Sequence, residues 1–390
     1  MLIEKRVAVL AGTIYFVQGA LGIAGIALPL HLRAQGFSIA TITFMTSIAA
    51  TPWFFKIIYG AISDAFPIRN LRRKPYLVMY PALSSLGWLL LSFVPSSPAW
   101  LVLAMGVSNF GLAATDVITD GFVVDHSDSQ TAQVYQSISW GSRSLGALVS
   151  GVTGGWMATR LAPELIFLIA GLLPLIAVGA AFLIQETAHS GPEARNLLQP
   201  IVASLRYLFS GDLKWFSLLL MIVSSSASFG TPLFFYMREE LKFNELFLGT
   251  LQSTLWLGAI IGCVLSARFF NRIPLVMMLY WATAVSFFQI LLVLGIREKT
   301  SALSIFFFAG ILGYVSLLPF MSSAAKLAHG TGVEGSLFAV LMGIFNLASA
   351  AAAACGGRLA QGLGLEKLII LTAFLSLSGF LVIPRLKTLT

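Results

Sequence analysis

Apolar stretches of about 20 residues, the length that crosses a hydrocarbon core as a helix, recur along this chain from end to end. They lie near 7–31, 39–62, 76–95, 99–124, 131–158, 163–185, 213–237, 245–268, 274–296, 302–326, 333–357 and 365–384, and short polar or charged turns break them. The pattern predicts an all-α membrane protein of twelve transmembrane helices. The link from Glu186 to Asp212 carries Gly191, Pro192, Pro200 and an amphipathic piece, LLQPIVASLRYLF, expected to lie along the cytoplasmic surface. The expected organisation is a six-helix bundle over 1–190, a cytoplasmic linker with an amphipathic helix over 191–212, and a second six-helix bundle over 213–390.

The two halves resemble each other at a displacement of about 200 residues, as in carriers built from parallel repeats. Pro29 in ALPLHLRAQGFS meets Pro232 in GTPLFFYMREELKF, and Val134 to Ala158 aligns without gaps on Ser336 to Ala360. Gly154 and Gly155 then fall on Gly356 and Gly357. Ser142, Gly146, Ser150 and Gly154 repeat every fourth residue, and Ala348, Ala352 and Gly356 continue the stripe in the second copy. Small residues at this spacing let helix backbones approach closely.

Composition agrees with lipid as the main solvent. Hydrophobic residues make up 57% of the chain and charged ones 10%, against about 25% charged in soluble domains. Mean hydropathy is +0.88. The net charge of +8 is then a matter of topology, not of nucleic acid. With a cytoplasmic N-terminus, that side collects fourteen Lys and Arg, among them Arg69, Arg72, Arg73 and Lys74, against eight opposite. Both termini are expected in the cytoplasm, with the chain multi-pass in the cell (inner) membrane. The stretch after Met1 to Arg6 runs past Leu30 without a cleavage site and reads as a first span.

Several chemistries lack their residues. Cys263 and Cys355 have no redox or ligand spacing, and His31, His126, His189 and His329 form no cluster, so no metal is expected. There is no GxxxxGK[ST] for a nucleotide, no GxSxG and no paired His of a metalloprotease helix. The chain therefore reads as no enzyme and as needing no cofactor, with its energy coming from a gradient, a proton gradient being the one expected, or from nothing.

Lys56 and Arg143 are the two cations left inside spans. Ionisable side chains there are costly unless they face a cavity or each other. In the fourth span Asn109, Asp116 and Asp120 share a helical face, and Gln136, Trp140 and Arg143 repeat the spacing in the fifth. At about 1.5 Å per residue, Asp116, Arg143 and Lys56 lie at similar depth, about 10 to 13 Å in. Such a layer fits a neutralised structural cluster or a switchable site, in which the extra positive charge binds an anion and a carboxylate exchanges a proton. Lys56 either joins this layer or snorkels to the cytoplasm, and Asp120, about a turn from the expected helix end, is either solvated or a second proton site. Gln18, beside Tyr15 and Gly19, is placed to hydrogen-bond a substrate or a neighbouring helix.

Between the second and third spans, YGAISDAFPIRNLRRKPYL, from Tyr59 to Leu77, resembles the signature loop of the major facilitator superfamily. That resemblance implies the major facilitator fold, with Asp64, Arg72 and Arg73 in gating roles on the cytoplasmic side. A narrower resemblance, to the folate-biopterin transporter family, rests on TPWFFKIIYGAISDAFPIRNLRRKPYL, ATDVITDGFVVDHSD and YQSISWGSRSLGALVSGVTGG. It implies proton-coupled symport of an anionic pterin or folate. The planar ring would stack on Trp53 or Trp140, the carboxylates would meet Lys56 and Arg143, and Asp116 and Asp120 would couple to the proton. Gln136, Gln18 and Asn109 complete the expected substrate-binding set. Muropeptide permeases also look similar around Asp116 and Asp120, so a muropeptide or other organic anion is the alternative cargo. A non-transporting membrane assembly factor is the alternative of another class.

Overall fold

The computed structural model describes residues 4–127, 131–187, 198–269 and 273–388. His189, Arg195, Arg272 and residues 191–197 of the expected linker lie outside the described residues. Helices cover all twelve apolar stretches. In chain order they are α1 (Lys5–Ala20), α2 (Ala24–Ala34), α3 (Ile39–Ala49), α4 (Lys56–Ala65), α5 (Lys74–Leu91), α6 (Pro98–Asp125), α7 (Thr131–Ala158), α8 (Pro163–Leu183) and α9 (Leu198–Leu208). There follow α10 (Leu213–Ser224), α11 (Gly230–Phe235), α12 (Glu245–Phe269), α13 (Leu275–Leu292), α14 (Lys299–Ala328), α15 (Glu334–Leu363), α16 (Leu365–Leu377) and α17 (Gly379–Val382).

Among the described residues nine helical segments are long and apolar enough to cross a membrane, and ten if the pair of α9 and α10, bent by 85°, counts as one. The amphipathic α9 therefore does not continue the line of α10. Helices α5 and α7 stand over expected spans but are not among these, and they bury hydroxyls such as Ser84, Ser85, Ser139 and Ser150. These hydroxyls are used inside the bundle. Ser85 Oγ donates to Gly171 O at 2.5 Å and Ser150 Oγ to Gly19 O at 3.0 Å.

The chain packs as two compact units. One comprises Met1–Gln35, Phe55–Leu197 and Glu245–Ser253, the other Gly36–Phe54, Leu198–Asn244 and Thr254–Thr390. In the first, α5 packs against α6 and α8, and α1 lies along α7. In the second, α15 packs against α3, α10 and the turn Ser225–Phe229, and α13 packs against α14 and α16.

The repeat is visible within each unit. A 3₁₀ turn, Leu21–Ile23, interrupts the first span between α1 and α2, and another, Ser225–Phe229, separates α10 from α11. A Cβ on Gly154 would lie 2.5 Å from Ile23 O, and one on Gly356 would collide with Ser228 O. In both copies a glycine lets the later helix touch backbone at the break. The second glycine of each pair faces a helix start. A Cβ on Gly155 would lie 2.6 Å from Glu245 O at the head of α12, and one on Gly357 would lie 2.9 Å from Ala40 Cα near the head of α3.

Candidate functional site

Asp116, which is buried, and Asp120, which is half-buried, both stand on α6, which starts with Pro98 in its first turn and runs to Asp125. Thr115 and Thr119 flank them and donate to Gly111 O and Thr115 O at 2.7 Å each, so these hydroxyls serve their own helix. Asp116 is 4% exposed. Lys56 is the first residue of α4, directly after the 3₁₀ turn Thr51–Phe55. Pro52 within that turn supplies no backbone N–H, which favours a break in the span.

Lys56 Nζ lies 2.5 Å from Asp116 Oδ2, and Gln18 Nε2 donates to Asp116 Oδ1 at 2.9 Å. Each carboxylate oxygen thus has a donor from a different helix. Lys56 does not snorkel. Gln18 Oε1 is buried without a hydrogen-bond partner among the described residues, which leaves a strong acceptor beside the ion pair.

Asp120 lies five residues before the end of α6, about the expected turn, and is half-buried, with Tyr15 reaching it from α1. Tyr15 Oη donates to Asp120 Oδ1 at 2.6 Å. The Tyr15 ring centroid stands 6.3 Å from that of Trp140, and the Arg143 guanidinium lies 5.1 Å from the Trp140 centroid. Guanidinium over an indole face is a cation–π contact. Seven side chains are thereby joined in two short series, Lys56–Asp116–Gln18 and Asp120–Tyr15–Trp140–Arg143. Gln136 is exposed on α7, and Asn109 Nδ2 donates to Met105 O of its own helix at 2.9 Å.

The basic loop forms a second constellation. Arg73, 7% exposed, places Nη1 2.7 Å from Ser63 Oγ, Nη2 2.9 Å from Asp64 Oδ1 and Nε 3.1 Å from Asp125 Oδ2. Arg72 Nη1 stands 3.9 Å from the same Asp64 oxygen. Glu186 accepts from the backbone N–H groups of Arg72, Arg73 and Lys74 at 2.7 to 3.1 Å, and Lys74 Nζ donates to Ile184 O at 2.8 Å. A carboxylate on the first amides of α5 is favourable at a helix N-terminus. Tyr15 carried a sequence signal only as a neighbour of Gln18. Glu186 and Asp125 carried none, because their partners lie 52 to 114 residues away.

Among the described residues no group of His, Cys, Asp and Glu could hold a metal ion. Residues 18–388 match the BT1 family. The chain belongs to the BT1 family.

This BT1 chain is 29% identical to a folate-biopterin transporter of Synechocystis, over 97% of its own length and 78% of that protein. It is 26% identical to a probable folate-biopterin transporter of Arabidopsis thaliana, over 90% and 88%, and 26% identical to a folate transporter of Plasmodium falciparum, over 76% and 68%. Among solved structures it resembles the nucleoside transporter NupG, with a TM-score of 0.77 at 12% identity over 97% of this chain and 98% of that one. It also resembles a POT family transporter in complex with 5-aminolevulinic acid, with a TM-score of 0.76 at 15% identity over 97% and 96%. The fold is the major facilitator fold.

Proposed function

We propose that this BT1 protein is a secondary active transporter that carries an anionic pterin- or folate-like solute with a proton across the cell membrane. The observation that carries the reading is Asp116, buried in α6 and held by Lys56 and Gln18 from two other helices. A scaffold has little reason to keep this ion pair in hydrocarbon, whereas a carrier can use it. A substrate carboxylate competes with Asp116 for Lys56, and protonation of Asp116 releases the lysine for it. Arg143 supplies the second positive charge, and Asp120 with Tyr15 offers a second place for a proton.

Names of the relatives support the cargo class, since those proteins are described as folate or folate-biopterin transporters. Alternating access, by rocking of the two six-helix halves, completes the cycle. Asp64, Arg72 and Arg73 latch the cytoplasmic side, where both termini also lie.

The test is uptake of labelled folate into proteoliposomes under an imposed proton gradient, with biopterin and a muropeptide as competitors. Gradient-dependent accumulation that disappears in Asp116→Asn and Arg143→Ala is the expected result. Normal accumulation by both variants overturns the site, and no flux from folded protein overturns the cargo.

A further inference from the structure

The second unit contains a cavity of about 310 Å³ between α3 and α15 that has no role in the ion-pair site. We infer that it is a subsite for an uncharged, flat heterocycle bearing adjacent N–H and C=O groups, which stacks on Trp53 and pairs with the side-chain amide of Asn346. The inference rests on the transport reading for its cargo class.

Glycines create the space. A Cβ on Gly343 would lie 2.9 Å from Phe54 O, and one on Gly357 would lie 2.9 Å from Ala40 Cα, so α15 presses on the second span at two points fourteen residues apart. Along a helix that is about 21 Å. Between those points α15 presents Asn346, Ser349 and Ala350, and the facing lining includes Thr46, Ser47 and Trp53. Small side chains between two tight contacts leave a hollow.

The lining carries no charge but ample hydrogen-bonding capacity. Thr46 Oγ1 lies 2.9 Å from Ile42 O and 3.0 Å from Thr43 O, and Ser47 Oγ donates to Thr43 O at 2.7 Å. With their hydrogens committed to the helix, these hydroxyls face a ligand as acceptors. Asn346 Nδ2 stands 3.5 Å from Trp53 O, a long contact that a better partner can replace. A carboxamide supplies a donor and an acceptor side by side, the complement of a heterocycle edge.

Size selects the ring. Ligand pockets run from about 300 to 1,000 Å³, so this cavity is at the small end, the size of a bicyclic ring. Trp140, the other aromatic candidate, already holds the Arg143 guanidinium on its ring.

Binding of biopterin and of p-aminobenzoylglutamate, the ring and the tail separately, would be measured calorimetrically on the full chain in lipid nanodiscs. Folate uptake would be followed in parallel. Asn346→Leu and Trp53→Leu are expected to weaken biopterin about tenfold each and to leave p-aminobenzoylglutamate unchanged. Should Trp53→Leu fail to fold, Ala350→Val narrows the cavity and carries the same expectation. Unchanged biopterin affinity in folded variants, an equal loss of both ligands, or no biopterin binding by the wild type overturns the subsite. Biopterin binding that the variants weaken, without folate uptake, sustains the subsite and overturns folate transport. Folate uptake without biopterin binding does the reverse.

Discussion

Lys56 Nζ sits 2.5 Å from Asp116 Oδ2, a contact between the first residue of α4 and the interior of α6. Removing one member of such a pair strands the other in a low dielectric, whereas removing both does not. Lys56→Met is expected to lower unfolding stability by about 3–5 kcal/mol. Asp116→Asn keeps a partner for Gln18 but leaves the Lys56 charge uncompensated, and is expected to cost a similar amount, about 3–5 kcal/mol. The double variant should be more stable than Lys56→Met alone and should lack concentrative uptake. Denaturant melts of the four proteins in detergent, combined with uptake, check the cycle.

Tyr15 is the partner of Asp120. Tyr15→Phe retains the ring beside Trp140 and deletes only the hydroxyl, for an expected cost of about 1.5–3 kcal/mol if Asp120 is ionised. The pH profile of uptake is expected to move, with the protein still folded and monodisperse. A profile identical to wild type would remove Asp120 from proton coupling.

Arg73 joins Ser63, Asp64 and Asp125 through separate guanidinium nitrogens. A lysine has one nitrogen and cannot reproduce that fork, so Arg73→Lys should fail to restore the uptake lost in Arg73→Ala. Gly121→Ala tests the same cluster from behind, because its Cβ would lie 2.9 Å from Arg73 Cζ. The expected cost is about 1–3 kcal/mol, read as a lower melting midpoint.

Glu186 closes the loop onto the end of the sixth span by accepting three backbone amides. Glu186→Ala leaves those amides without their acceptor and should expose the Arg72–Arg73 bonds to trypsin added to the protein in detergent. Glu186→Gln retains one acceptor oxygen and should be cut more slowly than Glu186→Ala. Equal cleavage of wild type and Glu186→Ala would show that the clamp does not hold the loop.

Much of the molecule is legible in its sequence. Asp116 and Lys56 announced themselves as charges in apolar stretches, and the small-residue stripe on α7 announced a close helix contact, which is made with α1 through Gly19 and Gly146 and with the turn Leu21–Ile23 through Gly154. These features are local in one chain direction, since hydropathy and a four-residue period are written in consecutive letters. The cavity of the second unit was less visible. Its polar residues, Thr46, Ser47, Asn346 and Ser349, are neutral and unremarkable in a span, and become a group only when α3 and α15 are brought together.

By itself the sequence determined that the chain lives in lipid, that its apolar stretches are helical, that the two halves repeat, and which charges had to be sheltered. The reason is that burial of backbone and charge in hydrocarbon leaves few alternatives for each segment. Tertiary structure alone decided the partners: that Asp116 faces Lys56 and Gln18 while Asp120, one turn on, faces Tyr15, and that Glu186 clamps a loop 112 to 114 residues away. Helix faces one turn apart meet different neighbours, and which neighbour is met depends on the packing of distant segments.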